Sequence, residues 1–229
     1  MGKFIVIEGT DGSGKSTQTR KLANYLKKQG LSVKQFHFPS GKGFYGRAIN
    51  SFLKGDLGSA LEVDPYYVAF LFARDRVNNA ALVRKWIDKY DIVLMDRYAY
   101  SNVAYQCGKL MRKPREKEKL YRWIVDMEFG SGEIPIPDLC MYLGVPQKFV
   151  EEKLMETRSG EDREYLEGGS DIHEENLVLQ KNVGSVYRDM CQEFDEMVYV
   201  DCAGPDGEMM KSDQIHRRIL DVMRARGVL

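Results

Sequence analysis

The chain of 229 residues carries 34 lysine and arginine residues against 34 aspartate and glutamate residues, so its formal net charge is zero. This balance removes the usual electrostatic reason to expect a nucleic-acid partner, and the hydrophobic share of 43% is enough for a sizeable core. The length and the lack of a linker-like stretch favour a single domain over residues 1–229. No run of about 18 apolar residues occurs, so we expect neither a membrane partner nor a signal peptide.

Cysteines and histidines are scattered along the chain and form no metal-binding motif. The four cysteines are Cys107, Cys140, Cys191 and Cys202. This spacing makes a zinc site improbable and is typical of the reduced thiols of a cytoplasmic protein.

The first predicted strand, Phe4 to Ile7, leads into a glycine-rich loop. The loop fits the pattern G-x-x-x-x-G-K-[ST] without a mismatch, and the apolar spacing from Gln18 to Gln29 predicts a helix after it. A strand, this loop and a helix in that order are the context of a nucleotide-binding phosphate loop. Its residues are Gly9, Thr10, Asp11, Gly12, Ser13, Gly14, Lys15, Ser16 and Thr17.

The chemistry of such a loop follows from its backbone. Glycines let successive N–H groups point inward at an anion, and the helix N-terminus adds partial positive charge. We expect Lys15 to reach the β- and γ-phosphates of ATP, and the Ser16 hydroxyl to help hold Mg²⁺.

Strand and helix patterns alternate along the rest of the chain. A strand is predicted from Leu31 to Phe36, and a helix from Gly46 to Leu53. Asp64 and Pro65 are typical of a helix start, and this helix is predicted to run from Tyr66 to about Lys89. The side chains expected to face inward on it are Tyr67, Phe70, Leu71, Val77, Ala81, Leu82 and Trp86.

The second half continues the alternation. Buried strands are predicted at Ile92–Met95, Leu139–Leu143 and Met197–Val200. Helices are predicted at Arg112–Phe129, Gln147–Thr157, Glu174–Glu196 and Ser212–Arg226. The glycine-rich, charged stretch at about 158–172 is expected to be a short mobile lid.

This alternation predicts an α/β fold of three layers, in which an open parallel sheet is flanked by helices, as in P-loop NTPases. Ligands of such sheets bind at the carboxyl ends of the strands. The phosphate loop and Asp96 both fall there. Asp96 can order Mg²⁺ or its waters, and Arg97 can hold a second phosphate. Two phosphate-binding cations on different elements indicate two phosphorylated substrates.

The segment from Asp96 to Gln106 resembles the Asp-Arg-Tyr-x-x-Ser-x-x-Ala-Tyr signature of thymidylate kinases. The phosphate loop, the run Phe72-Ala73-Arg74-Asp75-Arg76 and Pro137-Asp138-Leu139 are similar to the same family, so the resemblance covers nearly the whole chain. It implies transfer of a phosphoryl group from ATP to dTMP, with Mg²⁺, by a homodimer. The dTMP-binding residues that it implies are Asp11, Phe38, Pro39, Phe72, Arg76, Arg97, Asn102 and Tyr105.

Individual roles follow from the resemblance and from chemistry. Asp11 would meet the 3′-hydroxyl region, Phe72 would stack on thymine, and Arg97 would hold the acceptor phosphate. Arg76 would donate to the O4 atom of thymine, where cytosine has an amino donor, and Tyr105 would crowd a 2′-hydroxyl. A monophosphate with a second pKa near ~6 is already an anionic nucleophile, so no general base is expected.

The sequence departs from the family pattern at three glycines. Gly12 stands where many eukaryotic members have an arginine, so the catalytic cation is expected from the lid, at Arg158 or Arg163. Gly41 stands where an arginine usually follows Phe-Pro, and Lys42 is a candidate replacement. Gly144 stands where an aspartate is common.

Alternative functions remain open at this point. One is a kinase for another nucleoside monophosphate or for a deoxynucleoside. Another, from a different class, is a P-loop regulatory ATPase or GTPase, although the chain lacks the Asn-Lys-x-Asp motif for guanine.

Overall fold

The computed structural model describes residues 2–59, 61–130, 132–156 and 177–229. Their strands are β1 (Lys3–Glu8), β2 (Val33–His37), β3 (Ile92–Asp96), β4 (Leu139–Gly144) and β5 (Met197–Asp201). Their α-helices are α1 (Lys15–Lys28), α2 (Gly43–Leu53), α3 (Pro65–Lys89), α4 (Ala99–Gly108), α5 (Pro114–Val125), α6 (Gln147–Glu156), α7 (Leu177–Glu193) and α8 (Ser212–Ala225). A π-helical turn, Asp126–Gly130, follows α5.

The strands form one parallel sheet in the order β2-β3-β1-β4-β5. Alternate residues of β1 face opposite layers, as the two-residue period of a strand requires. Phe4 and Val6 pack with α3, α4 and α7, whereas Ile5 and Ile7 pack with α1 and α8. The predicted three-layer α/β architecture is therefore confirmed. None of the helices in the described residues is both long and apolar enough to cross a membrane.

Helix α4 is the element that the sequence patterns missed. Seven of its ten residues are apolar or glycine and all seven are buried, as are Asn102 and Gln106. A helix that is buried on nearly every side shows no amphipathic period, so periodicity cannot reveal it.

Helix α3 runs as predicted, but four of its expected inward residues are exposed. These are Tyr67, Phe70, Ala81 and Leu82. The reason is that α3 packs in two directions. Val68 and Leu71 contact α2, whereas Ala69, Ala80 and Val83 join the core around α4.

The structure also changes the ends of several predicted helices. The helix expected over Arg112–Phe129 begins at Pro114 and gives way to the π-helical turn at Asp126. The helix α2 begins three residues before the predicted Gly46.

Candidate active site

The phosphate loop joins the central strand β1 to helix α1. Gly14, the residue before the helix, has a φ of 81°, in the left-handed region that favours glycine. Thr10 and Ser13 are buried, and their hydroxyl oxygens find no hydrogen-bond partner among the described residues. Buried donors of this kind beside a helix N-terminus fit a loop built around an anion.

Lys15 is the first residue of α1 and is only 7% exposed. Its Nζ atom donates a hydrogen bond of 2.8 Å to the carbonyl oxygen of Thr10. Burial, and then the positive charge of Arg97, lowers the pKa of Lys15 to about 8. The amine therefore sits inside the loop, and its charge depends on a nearby anion.

Ser16, on helix α1, contacts Asp96 at the end of β3. Asp96 ends β3, opposite Ile7 of β1, and its Oδ2 atom accepts a 2.7 Å hydrogen bond from the Ser16 hydroxyl. The other carboxylate oxygen, Oδ1, is buried and has no hydrogen-bond partner in the described part of the chain. A free carboxylate oxygen next to a serine hydroxyl is a donor set that suits Mg²⁺, which prefers oxygen ligands and keeps several waters.

Arg97 is placed by an unusual turn after β3. Its φ of 66° is rare for a residue other than glycine, and its N–H donates to the carbonyl oxygen of Ile7 at 3.1 Å. The guanidinium donates from Nη1 to the carbonyl oxygen of Gly9 at 3.2 Å, and from Nη2 to Asp11 and to the Tyr105 hydroxyl. The turn thus brings a second cation onto the phosphate loop.

Glu8, at the end of β1, holds the start of α4 in place. Its carboxylate accepts from the backbone N–H of Tyr98 at 2.7 Å and of Ser101 at 3.2 Å. It also accepts from the hydroxyls of Ser101 at 2.6 Å and of Tyr187 at 2.8 Å. Burial raises the pKa of Glu8, and the charge of Arg97 opposes this shift. A charged residue directly after the apolar run Phe4–Ile7 was the available sequence signal.

Gln180 of α7 is a second residue that sequence reasoning missed. Its Oε1 accepts from the backbone N–H of Asp11 at 3.0 Å, and its Nε2 donates to the Asp11 carboxylate at 2.9 Å. The amide is 3% exposed. The helix that follows the predicted lid therefore contacts the phosphate loop directly.

A cavity opens beside Arg97. Its lining residues are Asp11, His37, Pro39, Leu53, Phe72, Arg97, Ser101, Asn102, Tyr105 and Gln106. Six of the eight residues expected in the dTMP pocket are among them.

The two other expected residues, Phe38 and Arg76, lie behind this lining. Phe38 is buried against Phe36 and Tyr98. Arg76 is 2% exposed, and its Nε and Nη2 atoms donate to the carboxylate of Glu128. Its Nη1 atom makes no hydrogen bond to a described residue.

Gln106 completes the lining and was not assigned a role from the sequence. It is 1% exposed, and its Oε1 atom has no hydrogen-bond partner among the described residues. The Oδ1 atom of Asn102 likewise has no hydrogen-bond partner in the described part of the chain. The cavity wall therefore carries two acceptors that a ligand can use.

Two further expectations concern the lid and Gly144. Arg158, Arg163 and the predicted lid lie outside the described residues. Gly144 ends β4, and a Cβ atom there would lie 2.2 Å from the ring of Tyr199. This ring position explains a glycine in place of the common aspartate.

Comparison with known proteins settles the family. A model of the thymidylate kinase family matches residues 7–212 of the chain. The chain belongs to the thymidylate kinase family. The match includes the phosphate loop, the Asp96–Arg97 pair and helix α7.

Individual relatives agree with the assignment to thymidylate kinases. The chain is 30% identical over 219 residues to the thymidylate kinase of Plasmodium falciparum, covering 96% of this chain and 88% of that protein. It is 30% identical over 195 residues to the thymidylate kinase of Mycobacterium tuberculosis, covering 82% and 85%. The solved structure of the Candida albicans thymidylate kinase shares the fold, with a TM-score of 0.75 and 22% identity, covering 99% of this chain and 93% of that one.

Proposed function

We propose that the chain transfers the γ-phosphoryl group of ATP to dTMP, giving ADP and dTDP. The observation that carries this proposal is the convergence of two cations from different elements on one loop. Lys15 donates to the carbonyl oxygen of Thr10, and Arg97 donates to that of the preceding residue, Gly9. Arg97 also lines the cavity. Lys15 is therefore assigned to the ATP phosphates and Arg97 to the acceptor phosphate.

Catalysis needs placement and charge rather than a general base. The phosphate of dTMP has a second pKa near ~6, so it is an anionic nucleophile at neutral pH. When bound, Mg²⁺ would neutralise charge on the β- and γ-phosphates, with Ser16 and Asp96 as its protein contacts. Arg97, fixed by its contacts with Gly9 and Asp11, would orient the attacking oxygen.

The cavity suits a pyrimidine base with the thymine pattern of donors and acceptors. Phe72 supplies an aromatic face for stacking. Arg76, held by Glu128, would donate through its remaining nitrogen to O4, where cytosine has a competing donor. The acceptors Asn102 Oδ1 and Gln106 Oε1 are complementary to the N3–H donor of thymine.

The sugar is assigned to the part of the cavity nearest the phosphate loop. Asp11 would accept from the 3′-hydroxyl group, and Tyr105 would crowd a 2′-hydroxyl group. Pro39 lines the same cavity, and Phe38 supports it from behind.

The lid supplies the catalytic cation in this proposal. Gly12 leaves the phosphate loop without an arginine. Arg158 and Arg163 are therefore assigned to the charge that develops on the transferred phosphoryl group. The loop Ala203–Glu208 after β5 is assigned to adenine.

The chain is further proposed to form a homodimer in the cytoplasm. The dimer is supported by exposed aromatic side chains on α2 and α3, including Phe44 at 70%, Tyr67 at 48% and Phe70 at 42% exposure. The compartment is supported by the four cysteines, which are all free. Analytical ultracentrifugation of wild type and of Phe70→Glu tests the dimer, because a charge on that surface should shift the protein to monomer.

A substrate panel tests the proposed reaction. ADP formation from ATP should require dTMP, with kcat/KM for dTMP above that for dUMP, and dCMP and dGMP near background. Arg76→Ala should lose most of the margin between dTMP and dCMP, because a charged donor facing an amino group costs about 1–3 kcal/mol or more, and 1–3 kcal/mol corresponds to about 5- to 150-fold. Arg74→Ala is the matched control on the same helix, where the side chain is partly exposed.

The outcomes separate the alternatives. Phosphorylation of dCMP as fast as dTMP would favour a kinase for another nucleoside monophosphate. ATP hydrolysis that is indifferent to every acceptor would favour a regulatory ATPase.

A further inference from the structure

The π-helical turn Asp126–Gly130 places one carboxylate between helices α3 and α4. Glu128 is 2% exposed, and its carboxylate accepts from Nε and Nη2 of Arg76 and from Nδ2 of Asn102 at 2.7 Å. Asn102 Nδ2 also donates to the carbonyl oxygen of Ala69 at 2.9 Å. One acid therefore orients two side chains on two different helices.

The turn itself is built for this placement. A Cβ atom at Gly130 would lie 2.5 Å from a carboxylate oxygen of Asp126, so a side chain there would displace that carboxylate. Phe129 packs against Tyr100 and Phe194 and anchors the turn to the core. Short π-helical segments occur frequently at functional sites.

Stability alone is a weak reason for such an arrangement. A buried ion pair loses hydration on both partners, and a well-packed apolar pair in its place is often as stable or more stable. The network instead fixes the orientation of the Arg76 and Asn102 side chains. It uses two donor nitrogens of Arg76 and the amide nitrogen of Asn102, and it leaves Arg76 Nη1 and Asn102 Oδ1 without partners among the described residues. One unused acceptor therefore remains on Asn102, which lines the cavity, and one unused donor on Arg76, behind that lining.

We propose that Glu128 is a positioning residue that sets the base preference of the enzyme through Arg76 and Asn102. This inference rests on the proposed function, since it assigns those two side chains to the pyrimidine. Glu128 does not touch the substrate. It fixes the rotamers of Arg76 and Asn102, so that the donor and the acceptor meet O4 and N3–H of thymine without a further cost in side-chain entropy.

The test is Glu128→Gln, which keeps the shape but removes the charge and turns one acceptor into a donor facing Arg76. We expect kcat/KM for dTMP to fall about 10- to 100-fold, mainly through KM, while KM for ATP is unchanged. The ratio of kcat/KM for dTMP over dCMP should fall with it. Glu118→Gln is the matched control, because it makes the same change in an exposed ion pair on α5.

A second variant protects the test against a folding failure. The double variant Glu128→Leu with Arg76→Met replaces the ion pair by an apolar pair, which should retain cooperative unfolding. It should nevertheless discriminate poorly between dTMP and dCMP. Glu128→Gln in an Arg76→Ala background should have little further effect on the dTMP to dCMP ratio, because Glu128 then has no arginine to position.

Three results would overturn the inference, and they differ from failure of the proposed reaction. An unchanged dTMP to dCMP ratio in a folded Glu128→Gln protein would leave Glu128 a purely structural residue, whereas an unchanged ratio in the apolar double variant would refute the role of Arg76. Fully additive effects of Glu128→Gln and Arg76→Ala would remove the link between them. A wild-type enzyme without a preference for dTMP would refute the proposed function itself, and this inference with it.

Discussion

The carboxylate of Glu8 offers a sharp test of how the site is held together. Four donors bond to this carboxylate, and they differ in whether another acceptor is within reach when Glu8 is removed. The hydroxyls of Ser101 and Tyr187 lie 2.9 Å apart, so they can satisfy each other. The backbone N–H groups of Tyr98 and Ser101, at 2.7 and 3.2 Å from Glu8, have no such substitute at the start of α4.

This difference gives the magnitude. In Glu8→Ala two buried N–H groups lose their acceptor, at about 1–3 kcal/mol each, so the free energy of unfolding should fall by about 2–6 kcal/mol. In Glu8→Gln the amide oxygen can still accept from both N–H groups, and its NH₂ group can donate to the two hydroxyl oxygens. Glu8→Gln should therefore unfold at about the denaturant concentration of wild type or above it, whereas Glu8→Ala should unfold far below it.

The pH dependence adds a second check on the same residue. Burial raises the pKa of Glu8 above that of the unfolded chain. The native state therefore binds more protons than the unfolded state between the two pKa values, so this group makes wild type less stable as pH rises through that interval. The stability of Glu8→Gln relative to wild type should grow over the same interval and stay constant above it.

Urea unfolding of the three proteins at several pH values, with dTMP phosphorylation at pH 7, measures both effects. Glu8→Ala should lose turnover as well as stability. Glu8 accepts from the N–H group of Tyr98, so its loss should also displace the neighbouring Arg97. A Glu8→Gln protein as unstable as Glu8→Ala would refute the reasoning, since it would show that the charge and not the acceptor geometry holds α4.

Three further perturbations follow from charged groups, two in the site and one at Lys109, the residue after α4. Lys15→Ala should keep its circular dichroism and cooperative melting yet lose most turnover. In the wild-type enzyme, kcat/KM for ATP should fall above pH about 8, because Lys15 loses its proton there. Arg158→Ala or Arg163→Ala should lower kcat far more than ATP affinity, by up to about 10³–10⁵ for a finger arginine, and normal turnover of the double variant would exclude this role. Burial lowers the pKa of Lys109 to about 7, so the protein should gain stability from this group as pH rises from 7 towards the unfolded value of 10.5. Lys109→Met should accordingly raise Tm more at pH 6 than at pH 9, and an equal rise at both would contradict the assignment.

The features that the sequence predicted correctly are local ones. The phosphate loop is a contiguous motif, and the parallel strands are short apolar runs, so neighbouring residues are sufficient to recognise them. Asp96 could be placed at the carboxyl ends of the parallel strands, because it directly follows the last residue of a predicted buried strand. The resemblance to thymidylate kinases added eight residues expected to bind dTMP, and six of them line one cavity; their role stays a prediction.

The features that the sequence could not predict depend on distant partners. Glu128 is 52 positions from Arg76, and Gln180 is 169 positions from Asp11. No periodicity or spacing links such pairs, because only the packing of α3, α4 and α7 brings them together. The exposed face of α3 was predicted wrongly for a related reason, since its buried face is set by two neighbouring helices.

The charges around the phosphate loop explain why a lid cation is expected. Two cations, Lys15 and Arg97, lie beside the phosphate loop. Three carboxylates lie with them, those of Glu8, Asp11 and Asp96. These five groups alone have no excess of positive charge with which to receive two phosphorylated substrates, even though burial moves Glu8 towards its neutral form. Lys181 and Arg188 of α7 line a further cavity with Thr10 and add positive charge on that side of the loop. Mg²⁺ at Ser16 and Asp96 would offset part of the negative charge. The transferred phosphoryl group, whose charge spreads over its oxygens in the transition state, still needs a donor that the loop lacks at Gly12. The proposed lid arginines, Arg158 and Arg163, are the candidates for that donor, and the kcat of their alanine variants tests the assignment.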